Sequence, residues 1–225
     1  MSGFTRGLTS SVGLKFLMGI TGGLLVLFVI GHMLGNLQVF VGREQLNAYA
    51  AKLQGLGGLL WVIRLGLFGI FAAHVLTGIV LTLKNWKARP VAYARQEALQ
   101  STLFSRTMIW SGLALFAFIV YHLLHFTILP KDAALLMDDG HVDVYGMLIA
   151  GFEQPAVTIS YVIAMLLLGF HLVHGITSMF QSLGWNAPKY ETLTRRLGIG
   201  LAGLLVLGNV AMPLAVLFGA IGGQS

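Results

Sequence analysis

The sequence predicts an all-α fold, a bundle of five transmembrane helices forming a single domain over residues 1–225. Mean hydropathy is +0.83 and only 10% of residues are charged, whereas a soluble domain carries about 25%. Too few charges remain to clothe a water-facing surface. Five apolar runs, at about 14–41, 59–83, 106–129, 156–180 and 197–221, reach the roughly 20 residues a helix needs to cross about 30 Å of hydrocarbon. An open β structure would strand backbone polar groups in lipid, so the runs read as helices.

The first span opens near Gly13 without a small-residue cleavage site, so no removable signal is expected there. It carries His32 and Asn36 within "LFVIGHMLGNLQVF". The second span starts after Gly58 and holds Arg64, His74 and Gly78. The third follows Arg106 and holds His122 and His125, and the fourth follows Pro155 and holds His171, His174 and Gly175. The fifth has no histidine. Connections are short, which predicts antiparallel neighbours, and no linker marks a second domain. Trp61, Trp86, Trp110 and Trp185 lie near span ends and suit an aromatic belt.

Charge sets the orientation. Arg6, Lys15, Lys84, Lys87, Arg89, Arg95, Arg106, Lys189, Arg195 and Arg196 fall on one side, against Arg43, Lys52, Arg64 and Lys131 on the other. The positive-inside rule then predicts a cytoplasmic N-terminus and an external C-terminus. The net charge of +6 is mainly this topology signal, together with a basic inner face able to dock a soluble partner. The basic residues flank spans, so no nucleic-acid site is expected. The absence of Cys excludes disulfides and thiolate-held metal or iron–sulfur centres within the chain.

Six of the seven histidines are intramembrane, and His141 lies in an outer loop. One such histidine is as readily explained by an interhelical hydrogen bond. Four of five spans carrying at least one point to function. His32, His74, His122 and His171 stand 17, 16, 16 and 16 residues after Lys15, Gly58, Arg106 and Pro155. At 1.5 Å per residue, each is about 24 Å along its span. Because directions alternate, His32 and His122 share an outer level, and His74 and His171 an inner one. Two histidines at one depth can ligate one haem iron axially, so two stacked haem sites are expected. His74–Gly78 and His171–Gly175 both read H-x-x-x-G, with Gly one turn away leaving room for a flat macrocycle. His125 and His174 are the alternates, each three residues from its neighbour and nearly on its face. They are otherwise expected to bond propionates or quinone, or to bridge helices.

The chain resembles the cytochrome b558-type, single-chain, two-haem membrane anchors of succinate:quinone oxidoreductases, over essentially its whole length. The resemblance rests on "SSVGLKFLMGITG", "GHMLGNLQVF" and "LNAYAAKL" around the first span, "HVLTG" in the second, "SRTMIWSG" through "YHLLHF" in the third and "HLVHG" in the fourth. It implies His32, His74, His122 and His171 as axial ligands of two haem b groups, with His32 paired to His122 and His74 to His171. It implies partner flavoprotein and iron–sulfur subunits, a quinone (menaquinone favoured), and a bacterial cytoplasmic membrane. The chain itself would not bind succinate. Some family members carry a Glu two residues before the fourth-span ligand for a proton path, and here that position is Gly169. A second haem is useful only if quinone reacts farther out, which places the expected quinone site near the outer haem. Arg64 and Asn36 are the polar candidates, to quinone or a propionate, beside plainer roles in interface anchoring and helix packing. The alternatives are a cytochrome b anchor of a hydrogenase or formate dehydrogenase, and a non-haem proton-coupled transporter.

Overall fold

The computed structural model describes residues 10–88, 103–128, 142–185 and 187–222. His141, Arg89, Arg95, Lys131 and the acidic residues at 132, 138 and 139 lie outside them. The described residues form seven α-helices. Helix α1 is Ser11–Asn36, α2 Arg43–Gln54, α3 Gly58–Lys87, α4 Leu103–Leu123, α5 Val144–Phe152, α6 Pro155–Ser182 and α7 Glu191–Leu217. Five of them, α1, α3, α4, α6 and α7, are long and apolar enough to cross a membrane.

Local chemistry sets the ends. The Ser10 hydroxyl accepts from the Gly13 N–H at 3.0 Å and starts α1. A 3-10 turn over Leu37–Phe40 ends the first span. Gly42, at φ 134°, and Gly57, at φ 53°, turn the chain into and out of α2 with backbone that a side chain would strain. Asp143 caps α5, and Pro155 opens α6 at a position where its missing N–H has no helical partner. A single π-helical turn, Leu124–Ile128, extends α4.

Two features differ from the expectation. The connections after the first and third spans contain α2 and α5, rather than being short loops. These helices pack on each other at one end of the bundle. The fifth span starts at Glu191, six residues before its apolar run, and ends at Leu217 rather than 221. Arg195 and Arg196 are exposed on its first turns, where long cationic side chains stay hydrated without breaking the helix.

Helix α1 packs on α3 and α6, α4 packs on α6, and α3 and α4 meet more loosely. These four helices make a ring in which α1 faces α4, and α3 faces α6, across the middle. Helix α7 lies outside the ring, against α6 above all. Its seam with α1 and α6 is filled by Met33, Leu172, Ile176, Ala202 and Leu205. A second core, Val39, Leu46, Leu148, Ile149, Phe152, Tyr161, Met212 and Val216, joins α2 and α5 to the ends of α6 and α7. Leu27, Phe68, Leu204 and Leu207 point outward and exposed, as do all four tryptophans, which suits a surface covered by lipid.

Candidate functional site

The ring of four helices brings histidines together at two levels. His32 of α1 meets His122 of α4, with ring centroids 5.7 Å apart. His74 of α3 meets His171 of α6, with centroids 6.5 Å apart. Each pair joins helices that face each other across the ring, so each lies on the bundle's middle line.

The second ring nitrogens define the chemistry. His74 Nδ1 lies 3.2 Å from the Thr21 hydroxyl of α1, and His171 Nδ1 lies 3.1 Å from the Ser111 hydroxyl of α4. Both hydroxyls already donate to backbone carbonyls of their own helices, Thr21 to Leu17 at 2.8 Å and Ser111 to Met108 at 3.1 Å. Each hydroxyl is therefore free to accept, and the imidazole Nδ1–H donates to it. That fixes the tautomer and leaves each Nε2 lone pair for a metal. At the other level, His122 Nδ1 lies 3.2 Å from the Tyr161 hydroxyl of α6, and Phe28 stacks on His32 at 5.5 Å. The sequence reading did not find Thr21, Ser111 or Tyr161. Spacing carried the signal for two of them. Thr21 precedes His32 by 11 residues, and Ser111 precedes His122 by 11. That is about three helical turns and some 16 Å, so each hydroxyl shares a face with the other level's histidine.

The residues fit haem. An imidazole nitrogen lies about 2 Å from a metal it ligates, so two rings on opposite sides of one ion have centroids roughly 6 Å apart. Both pairs match that separation. Among the described residues, no group of three or more His, Cys, Asp or Glu side chains gathers to cage a bare cation. His32 with His122, and His74 with His171, would each suit a haem iron, which would supply one-electron redox chemistry.

The remaining candidates fall elsewhere. His174 turns its Nε2 to the Ser178 hydroxyl at 2.9 Å, one turn along its own helix. His125 shares the Tyr161 hydroxyl with His122, its Nδ1 at 3.2 Å. A Cβ on Gly175 would meet open space, while one on Gly78 would lie 3.0 Å from the Met18 methyl. The Asn36 amide donates to the His32 carbonyl at 2.9 Å. The Arg64 guanidinium lies over the Trp61 ring at 5.2 Å, on the exposed face of α3. A Cβ on Gly169 would stand 2.6 Å from a Val206 methyl, so any side chain there requires Val206 to shift.

A family model described as the succinate dehydrogenase/fumarate reductase transmembrane subunit matches residues 87–211, more than half of the chain. The match takes in His122 and His171, and His32 and His74 precede it. Comparison with curated proteins and with solved structures gives no match. The chain belongs to the succinate dehydrogenase/fumarate reductase transmembrane subunit family. It is a multi-pass membrane protein and one subunit of an oxidoreductase complex.

Proposed function

We propose that this member of the succinate dehydrogenase/fumarate reductase transmembrane subunit family is a two-haem cytochrome b anchor, carrying electrons between an iron–sulfur partner and membrane quinone. The observation that carries this reading is the double pairing of imidazoles at two depths, three of the four with Nδ1 held by a hydroxyl. His74 and His171 would hold the inner haem, and His32 and His122 the outer one. Bound haem supplies reversible one-electron carriage at each level. The chain's own residues hold three of the four imidazoles in the ligating tautomer and present a basic face to the soluble subunits. A proton-relay transporter would instead want its histidines facing exchangeable water.

We assign the basic end to the cytoplasmic side of a bacterial membrane. Quinone, menaquinone by preference, then reacts near the outer haem, with Arg64 and Asn36 as the polar candidates. Succinate or fumarate is handled by the flavoprotein partner and not by this chain. The test is pyridine-haemochrome analysis of the purified complex. Two b-type haems per chain are expected, extracted by acid acetone because no cysteine holds them covalently. One haem per chain in a fully loaded preparation would refute the reading.

A further inference from the structure

The two levels are built differently, and the difference centres on Tyr161. Its ring is 6% exposed. Phe118, Tyr121, Phe126 and Phe152 pack round it, with centroids 4.9, 5.8, 5.8 and 5.0 Å away. Such a cage fixes where the phenol oxygen stands. That oxygen lies 3.2 Å from Nδ1 of both His122 and His125. The Thr21 and Ser111 hydroxyls of the other level spend their protons on backbone carbonyls. Tyr161 has no such bond among the described residues, so its proton is left for one of the two imidazoles.

We propose that Tyr161 is a positioning residue for the His122 ligand and that His125 completes it, in a directed chain from His122 Nδ1–H to the Tyr161 oxygen and from the Tyr161 O–H to His125 Nδ1. The donor inventory permits one proton arrangement once His122 gives its Nε2 to iron. His122 then carries hydrogen on Nδ1 and donates it. The phenol accepts that bond and donates its own hydrogen onward. His125 accepts at Nδ1 and bears its hydrogen on Nε2, which lies toward Gly151 of α5. His125 is thus the end of the chain, not a rival ligand. The consequence is electronic. A hydrogen bond from a ligand's outer nitrogen raises its basicity, which favours the oxidised metal. Donation from the phenol to His125 strengthens the first bond by polarising the phenol oxygen. Among the described residues, His32 has a stacked phenyl ring and no hydroxyl partner, so the setting of the outer haem rests on His122.

This inference rests on the two-haem reading, and its test separates the two. Potentiometric titration of the purified complex should resolve two haem steps. Tyr161→Phe keeps the ring and deletes the oxygen. It should raise the midpoint potential of the step that His122→Ala abolishes, and leave the step that His171→Ala abolishes unmoved. His125→Leu should move the same step in the same direction by less. Should Tyr161→Phe lose haem outright, the His125→Leu shift decides the matter alone. Two haems in the wild type with neither variant shifting the outer step would overturn the role of Tyr161 and leave the proposed function standing. A wild-type complex without haem would overturn both.

Discussion

His74 and His171 hand Nδ1–H to aliphatic hydroxyls that are locked by carbonyls of their own helices. Losing such a partner typically weakens a metal site about 10–100-fold. Ser111→Ala and Thr21→Val should therefore each loosen the inner haem by about that factor and leave the outer one in place, as read by haem retention during dilution. The ligands themselves should behave as pairs. His74→Ala and His171→Ala should erase the same component of the reduced-minus-oxidised spectrum, and His32→Ala and His122→Ala the other. His174→Ala should erase neither, because its Nε2 is taken up by Ser178. Loss of the inner component in His174→Ala would show the wrong fourth-span residue was assigned. Depth arithmetic found the neighbours of His32 and His74, since rise per residue is fixed and directions alternate. It did not find Thr21, Ser111 or Tyr161, since a hydroxyl in a span reads equally well as back-bonding to its own helix, and only the crossing of helices shows what else it meets.

Helices α2 and α5 cover the end of the bundle that carries His32 and His122. One polar knot joins them. Asp143 accepts from the Gly146 N–H at 3.0 Å and from the Asn47 amide at 2.8 Å, and it pairs with Arg43 at 3.2 Å. Asn47 in turn accepts from the Tyr145 N–H at 3.0 Å. These contacts are unequal. The helix cap and the buried amide bond each contribute about 1 kcal/mol. The ion pair contributes less, because the Arg43 side chain is 59% exposed. Asp143→Ala should thus destabilise the protein by about 2 kcal/mol, while Arg43→Gln changes little. Thermal unfolding in detergent, with haem absorbance as the probe, checks both. Equal losses would place the energy in the ion pair instead. The spans were legible because lipid demands about 20 apolar residues of each. The short helices were not, because α2 is polar and amphipathic, and α5 has nine residues, too few to stand out from a loop without the packing that folds it.

At the scale of the whole chain, charge sorts the two ends of the bundle. Among described residues, Lys15, Lys84, Lys87, Lys189, Arg195 and Arg196 gather where α1, α4 and α7 begin and α3 and α6 end. The opposite end has Arg43, Lys52 and Arg64, with Arg43 neutralised by Asp143. Cationic residues resist transfer across the membrane, which is why we assign the richer end to the cytoplasm. The absence of native cysteine makes the orientation directly measurable. Gln54 at the end of α2 and Asn85 near the end of α3 are both exposed and lie at opposite ends of the bundle. A membrane-impermeant maleimide added to intact spheroplasts should label Gln54→Cys at once and Asn85→Cys only after permeabilisation. Asn85→Cys should also be shielded when the soluble subunits are bound, since the same basic end is the one proposed to receive them. Labelling in the reverse order would invert the bundle and exchange the inner and outer haems. The soluble partners would then meet the His32 level first, at the same end as Arg64 and Asn36.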